Sequence, residues 1–181
     1  MIGTNISLRA PEPTDVDILY RWENDQRVWH LGNTLAPYSR FELEQFVLNA
    51  DHDIFTSRQL RFMIDWHTAP EKPVTIGSID LYEFEPQHRR AGIGILIDEN
   101  YRRKGFASEA LQLLSDYCFN TLNLHQVFCN IDNSNQDSIR LFTRNGYKTC
   151  GLRKQWNLRN RIWADEMMLQ LINPGDLPEK K

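Results

Sequence analysis

The chain has 181 residues and a net charge of −3, from 21 basic and 24 acidic side chains. This balance argues against broad affinity for nucleic acids or membranes, which requires an excess of basic residues. The hydrophobic content of 41% is typical of one globular domain with a packed core, and no run approaches the roughly 18 apolar residues that span a bilayer.

The first half of the chain predicts short strands and two capped helices. Thr14 can cap a helix that runs to about residue 24. Ser39 can cap a second helix, because Glu42 follows three residues later and completes a capping box. Strands are predicted at residues 6–9, 60–66 and 74–84, with a loop at 28–37 and a proline-rich turn at 68–73.

The second half predicts four more strands and two more helices. The strands lie at 91–97, 126–131, 147–152 and 162–172, and the helices at 104–121 and 135–145. Ser134 can cap the last helix, and Gly146 can end it in the left-handed conformation. This order predicts one mixed α/β domain over residues 1–172, with antiparallel central strands and one β-α-β crossover. Residues 173–181 read as an irregular tail.

The cysteines and the amino terminus indicate where the chain works. Cys118, Cys129 and Cys150 form no Cys-x-x-Cys pair, so we expect reduced thiols and no metal site. The amino terminus lacks the charged-then-apolar layout of a signal peptide. We therefore expect a cytoplasmic protein.

The most informative segment is the basic turn between the strand at 91–97 and the helix that follows it. The basic triplet 102–104 precedes Gly105, and the small residue Ala107 follows two positions later. The first N–H groups of a helix have no internal partner and attract phosphate. The turn therefore predicts a phosphate-bearing cofactor. It is not a P-loop, because Phe106 follows Gly105, and Ile97 stands where a dinucleotide fingerprint needs its third glycine.

Two sequence blocks, in a fixed order, identify a family. Residues 102–107 match the pattern Gln/Arg-x-x-Gly-x-Gly/Ala, and residues 135–147 match Asn-x-x-Ala/Ser-x-x-x-Tyr-x-x-x-Gly-Phe with two substitutions, Phe142 and Tyr147. Both blocks resemble the GNAT superfamily of acetyl-CoA-dependent N-acetyltransferases, and residues 6–15 resemble its ribosomal-protein and polyamine branch. The resemblance implies the GNAT fold, a mixed and mostly antiparallel sheet flanked by helices, with a splayed strand pair that binds acetyl-CoA.

The resemblance also implies which residues hold the cofactor. Backbone groups of Leu96 and Ile97 would bind the pantetheine arm, and the Leu96 backbone would face the thioester oxygen. The turn and the first helical N–H groups would bind the pyrophosphate. Asn135 would contact the cofactor or act only as a helix cap. The complete implied set is Leu96, Ile97, Arg102, Arg103, Lys104, Gly105, Phe106, Ala107, Ser108, Asn135, Ser138 and Phe142.

Phe142 departs from the family pattern at a position that usually carries chemistry. Many members have a tyrosine here that protonates the leaving sulfur, and phenylalanine has no proton to give. A general acid contributes about 10²–10⁴-fold, so its loss slows the reaction without forbidding it. A thiol pKa near ~8.5 lets the thiolate leave unprotonated. Tyr101 and Tyr147 are possible substitutes, although packing with a tethered hydroxyl explains both better.

The general base and the acceptor pocket are less clearly marked. Gly92 stands where many relatives have a carboxylate, so a water-linked Glu83 is the best remaining candidate for the base. His88 and His125 could also serve in principle, because neutral imidazole is a base near pH 7. Glu83 and Glu85 should share one strand face. With Trp29, which lies beside the loop that covers the acceptor site in relatives, they form the predicted substrate-binding set.

Three acceptors remain open from the sequence. They are a polyamine, a protein amino terminus and an amine on a small metabolite. The loop at 28–37 contains no acidic residue, which weakens the polyamine reading because a polycation needs carboxylates around it. A non-catalytic protein that binds acyl-CoA is the alternative outside enzymes. The family resemblance also implies a possible homodimer.

Overall fold

The computed structural model describes residues 1–27, 29, 34–49, 53–68, 72–159 and 161–176. These residues form seven strands: β1 (Ile6–Arg9), β2 (Leu60–Trp66), β3 (Val74–Glu85), β4 (Arg90–Ile97), β5 (Gln126–Asp132), β6 (Lys148–Arg159) and β7 (Ile162–Ile172). The helices in the same residues are α1 (Val16–Glu23), α2 (Arg40–Leu48), α3 (Ile54–Ser57), α4 (Phe106–Asn120) and α5 (Gln136–Arg144). None of these helices is long and apolar enough to cross a membrane.

All the strands join one sheet in the order β1-β2-β3-β4-β5-β7-β6. The pair β4–β5 is parallel, and the other neighbouring pairs are antiparallel. A parallel pair requires a crossover, and α4 supplies it. The predicted mixed sheet with one β-α-β crossover is therefore confirmed.

The two faces of the sheet bury separate clusters. The larger cluster packs α4 and α5 against one face, and includes Ile93 and Ile97 of β4. The smaller cluster packs α1 and α2 against the other face, and Leu96 contacts it. Successive side chains of β4 therefore point to opposite layers, as strand geometry requires. We call the side of the sheet covered by α1 and α2 the acceptor face.

The sequence predicted one of the three helix caps correctly. The Ser39–Glu42 capping box is confirmed, since the Glu42 N–H donates to Ser39 Oγ at 3.1 Å. Thr14 does not cap α1, because it lies within a 3₁₀ turn, Pro13–Asp15, that precedes the helix. Asn135, not Ser134, caps α5 and accepts the Ser138 N–H at 3.2 Å.

The largest difference from the sequence prediction is the length of β6. Its predicted end is residue 152, but it continues to Arg159 and forms a long hairpin with β7. Ion pairs across the hairpin compensate for its polar sequence: Arg153 binds Glu166 at 2.7 Å and Lys154 binds Asp165 at 2.8 Å. Cross-strand charge pairs stabilise a strand whose composition alone resembles a loop.

The beginning of the predicted tail is attached to the domain. A 3₁₀ turn spans Pro174–Asp176, and Asp176 pairs with Arg89 at 2.8 Å. The structure therefore holds the chain to the domain through residue 176. Residues 177–181 lie outside the described residues, as do residues 28 and 30–33 of the predicted loop.

Arg9 and Asp15 should make stability depend on acid. Asp15 is 4% exposed, and Arg9 Nη1 lies 2.6 Å from its carboxylate. Burial raises the pKa of Asp15, but hydrogen bonds from the Arg9 side chain and the Glu12 backbone outweigh this, so the pKa lies below its usual value. A depressed carboxyl pKa stabilises the fold above the unfolded pKa of about 3.9, and that stability is lost as the pH falls through the folded pKa.

We expect Asp15→Asn to lower the free energy of unfolding by about 2 kcal/mol at neutral pH. It should also flatten the loss of stability below about pH 4. Urea denaturation across a pH series measures both effects. Asp137→Asn is the matched control, because Asp137 pairs with Arg140 on an exposed helix surface and should change neither quantity. If Asp15→Asn lost stability below about pH 4 as steeply as the wild-type protein, Asp15 would not be the group responsible for the acid dependence.

Candidate active site

A gap opens between β4 and β5, the two parallel strands. They pair only over residues 90–92 and 126–128. Beyond that point β4 stays paired with β3 as far as Ile97, whereas β5 follows β7 as far as Asp132. Residues 93–97 of β4 therefore face a wedge-shaped space, which we call the split. The splayed strand pair that the family resemblance implies is present.

The direction of the β4 backbone groups can be read from the two ends of the strand. At one end the Gln126 N–H donates to Arg89 O at 3.2 Å, so Arg89 faces β5. At the other end the Asp98 N–H donates to Ile76 O at 2.8 Å, so Asp98 faces β3. Backbone groups alternate along a strand. The odd-numbered residues from 93 to 97 therefore direct their N–H and C=O groups into the split.

This alternation corrects one predicted site residue. Leu96 lies opposite Ser78, and by the alternation its backbone groups are directed to β3. It therefore has no backbone group aimed into the split, which argues against the predicted oxyanion contact at Leu96. Ile95 and Ile97 have the orientation that the role requires. The sequence could not reveal this, because a one-residue shift reverses the direction of every group in a strand.

Gly105 makes the turn after β4 suitable for an anion. It has φ +88°, and an added Cβ would meet no atom within 4 Å. The first bonds of α4 are made by the Ser108 and Glu109 N–H groups to Gly105 O, at 3.0 and 3.2 Å. The N–H groups of Phe106 and Ala107 precede those bonds and have no acceptor in the helix. An open helix start of this kind can bind an anion such as a pyrophosphate.

The side chains of the basic triplet are exposed, and two of them have partners within the protein. Arg102 Nε donates to Ile97 O at 2.9 Å, across the outer end of the split. Lys104 Nζ lies 5.2 Å from the centre of the Tyr101 ring and 5.8 Å from that of Trp66. Arg103 has φ +63°. Backbone N–H groups can therefore bind a pyrophosphate with less rearrangement than the Arg102 or Lys104 side chains.

The predicted cofactor residues on α5 also have structural partners. The Asn135 side chain caps the helix at the Ser138 N–H, so its expected capping role is confirmed. Ser108 Oγ donates to Asn145 Oδ1 at 2.8 Å and ties α4 to the end of α5. Contact of Asn135, Ser138 or Ser108 with the cofactor stays a prediction.

Neither Phe142 nor its neighbour Tyr147 can provide a proton at the split. Phe142 is 3% exposed and Tyr147 is 1% exposed, and their ring centroids are 4.9 Å apart in the core. Burial raises the pKa of Tyr147 far above its usual value. Tyr101 packs on Trp66 at 6.0 Å, beside Lys104. The packing interpretation of Tyr101 and Tyr147 therefore accounts for both.

The two predicted acceptor carboxylates have different surroundings. A bulge interrupts the β3–β4 register between Tyr82 and Glu85, and Glu83 within it has φ +49°. The bulge removes the simple alternation that placed Glu83 and Glu85 on one face. Glu85 lies 3.4 Å from Arg58. Glu83 is exposed, and in the described part of the chain no ion pair involves it.

Trp29 lies next to the C-terminal end of α1. Its indole N–H donates to Glu23 O at 2.7 Å, and the ring is half-buried. The adjacent residues 28 and 30–33 lie outside the described residues. Contact of Trp29 with an acceptor therefore stays a prediction.

The acceptor face carries ion pairs around the split. Arg61 binds Asp80 at 2.7 Å and Glu23 at 2.5 Å, next to the position of Gly94 on β4. The second group follows β5 and the β6–β7 hairpin. It consists of Asp132 with Arg159 at 3.1 Å and Glu166 with Arg153 at 2.7 Å. This face is charged but largely neutralised, and the exposed Glu83 adds an acidic group.

Sequence reasoning missed two residues at the root of the split, Tyr82 and Asn130. Tyr82 lies directly over Gly92, and a Cβ there would come within 2.3 Å of the ring. Asn130 has a buried side-chain oxygen without a hydrogen-bond partner in the described structure. The available signal was the pair of strand glycines, Gly92 and Gly94, since glycine in a strand often marks close approach of another group.

Comparison with known proteins places this geometry in context. A family model for the acetyltransferase (GNAT) domain matches residues 5–148. The chain is 28% identical over 168 residues to the uncharacterized N-acetyltransferase p20 of Bacillus licheniformis, covering 92% of each chain. It is 29% identical over 148 residues to spermidine N(1)-acetyltransferase of Escherichia coli K12, covering 81% of this chain and 75% of that protein.

A solved structure has the same fold. Spermidine N-acetyltransferase from Vibrio cholerae, determined in complex with CoA and spermine, superposes with a TM-score of 0.81. The superposition covers 94% of this chain and 96% of that one, at 24% identity. The mixed sheet flanked by helices that the sequence implied is confirmed by this likeness.

Proposed function

The chain belongs to the acetyltransferase (GNAT) family, and on that premise we propose that it transfers the acetyl group of acetyl-CoA to a primary amine of a polyamine such as spermidine. The main observation in support of acetyl transfer is the split. Backbone groups of β4 are aimed into it, and an anion site at Gly105 lies beyond its outer end. Attack occurs directly, with both substrates bound together.

The residues act mainly by positioning. Backbone groups of Ile95 and Ile97 hold the pantetheine arm in the place of a missing neighbouring strand. The N–H groups of Phe106 and Ala107 bind the pyrophosphate. The thioester supplies an activated acetyl group, and the acceptor face directs the amine toward it. Holding two reactants in attack geometry supplies a large part of such a rate enhancement.

A cationic acceptor is supported by two observations. Relatives that align with most of this chain are named spermidine N(1)-acetyltransferases. Exposed Glu83 follows Tyr82 at the root of the split, where it can pair with an ammonium group. Unpaired charge is costly to remove from water, so a polyamine requires such partners. A protein amino terminus remains the competing acceptor, because it carries a single charge and needs fewer carboxylates.

The test is thiol release from acetyl-CoA with different amines. Spermidine, a peptide with a free amino terminus and an aminoglycoside are compared at equal concentration, with a reaction lacking amine as the blank. We expect release with spermidine at a kcat/KM at least tenfold above that with the peptide. Peptide-dependent release alone would replace the acceptor. If acetyl-CoA bound tightly but none of the three amines caused thiol release, the result would favour a non-catalytic acyl-CoA-binding protein. The absence of a tyrosine at Phe142 is the feature that suggests this alternative.

We further propose that the protein is a homodimer, supported by the β6–β7 hairpin at the edge of the sheet. The hairpin exposes several large apolar side chains. They are Trp156 at 56%, Leu158 at 58%, Ile162 at 72% and Trp163 at 56%. Exposed apolar patches of this kind mark interaction sites. Light scattering on the purified protein measures the oligomeric state, and a monomer at micromolar concentration would contradict the proposal.

A further inference from the structure

The ring of Tyr82 lies across β4 at the root of the split. Tyr82 is opposite Gly92 in the β3–β4 ladder. A Cβ on Gly92 would come within 2.3 Å of Tyr82 Cε2 and 2.4 Å of Cζ, and a Cβ on Gly94 would lie 3.8 Å from Cε1. The ring therefore rests directly on the β4 backbone. Glycine at position 92 is what permits this approach.

From there the side chain extends over β4 to β5. The Tyr82 and Phe128 ring centroids are 5.9 Å apart, in an edge-to-face arrangement. The hydroxyl group meets the backbone of Asn130. Phe128 belongs to the last residue pair that joins β4 to β5, and Asn130 lies two residues farther along β5. The hydroxyl therefore lies where the two strands have already separated.

The alternating direction of the backbone groups along β5 places this hydroxyl at the split. The Gln126 N–H donates to Arg89 O, so even-numbered residues of β5 direct their backbone groups toward β4. At Asn130 there is no paired β4 residue, and its N–H points into the split instead. The Tyr82 oxygen lies near that N–H, which acts to lower the pKa of the hydroxyl. The hydroxyl proton of Tyr82 then remains available to donate.

The protonation state of Tyr82 suits a donor. Burial raises the pKa of its hydroxyl, and the Asn130 N–H opposes that rise only in part. The titratable groups that act on the hydroxyl are Cys129, Glu83 and Glu166, and each of them raises its pKa further. Tyr82 is thus a neutral phenol at neutral pH. Phe142 has no hydroxyl, and Tyr147 is enclosed in the core.

We propose that Tyr82 donates a hydrogen bond to the sulfur of acetyl-CoA as the acetyl group leaves it, an inference that rests on the proposed function. The neutral amine nitrogen forms a bond to the acetyl carbon and releases a proton to water. The carbon–sulfur bond breaks, and its electron pair goes to sulfur. The Tyr82 O–H stabilises the resulting thiolate, which takes its proton from solvent. Tyr82 remains protonated throughout.

Tyr82→Phe tests this, because it removes only the hydroxyl and keeps the ring over Gly92. We expect kcat to fall roughly 100-fold with little change in KM for acetyl-CoA, the usual cost of one lost donor to developing charge. Tyr117→Phe is the matched control, since Tyr117 on α4 packs against Phe62 at 5.8 Å, and it should retain wild-type kcat. Wild-type kcat in Tyr82→Phe would overturn the proposal.

A binding measurement keeps this test separate from the proposed function. By calorimetry, wild-type protein should bind CoA roughly fivefold more tightly than desulfo-CoA, and Tyr82→Phe should lose that preference. Equal preference in both proteins would overturn the contact with sulfur, whatever the acceptor is.

Discussion

Gly105→Asp is expected to weaken acetyl-CoA binding by roughly 100-fold, equivalent to about 3 kcal/mol. The glycine occupies the left-handed region at φ +88°, and the space beside it is open to the first N–H groups of α4. An aspartate there strains the backbone and places a carboxylate where the pyrophosphate should bind. We expect the repulsion between this carboxylate and the pyrophosphate to cost more than the backbone strain. Calorimetric titration with acetyl-CoA measures the loss.

Two alanine variants separate strain from charge. Gly105→Ala adds the same backbone strain without a charge, and we expect at most a tenfold loss of affinity, with a stability loss of about 1 kcal/mol. Gly146→Ala adds comparable strain at φ +90° in the segment after α5, outside the basic turn itself, and should reduce acetyl-CoA affinity less than Gly105→Ala does. Equal affinity of Gly105→Asp and Gly105→Ala would show that no phosphate lies near this helix start.

The elements around the basic turn could be predicted because their sequence signals are local. Gly105 in a basic turn between a β-branched strand and an amphipathic helix indicates an anion site from sequence neighbours alone. Capping by Ser39 and termination after α5 at Gly146 are equally local. Such features depend on a few adjacent residues, so tertiary contacts rarely override them.

The features that the sequence did not reveal depend on distant partners. The extension of β6 requires Glu166 and Asp165 on β7 to neutralise Arg153 and Lys154. The direction of the Leu96 backbone depends on the register with β3. The position of Tyr82 over Gly92 depends on that same register. Each of these became visible only when the pairing of the strands was known.

Gly77→Ala is expected to have the largest effect on stability, because the added Cβ would meet backbone. It would lie 2.2 Å from Leu96 O and 3.2 Å from Ile97 Cα. A backbone carbonyl in a sheet cannot rotate away as a side chain can, so β3 and β4 must separate locally. We expect a loss of about 3 kcal/mol in the free energy of unfolding, at the upper end for overpacking. Urea denaturation measures it.

The same substitution should also weaken acetyl-CoA binding, because the displaced segment includes Ile97, whose backbone faces the split. Gly151→Ala is the matched control, since it adds a Cβ to β6 with no atom within 4 Å. It should be neutral or stabilise by about 0.5 kcal/mol through loss of unfolded-state entropy. If both variants had the same stability and affinity, close contact of β3 with β4 would not be what positions the cofactor strand. If only Gly77→Ala lost stability and acetyl-CoA affinity, the close contact of β3 with β4 would support both the fold and the binding site.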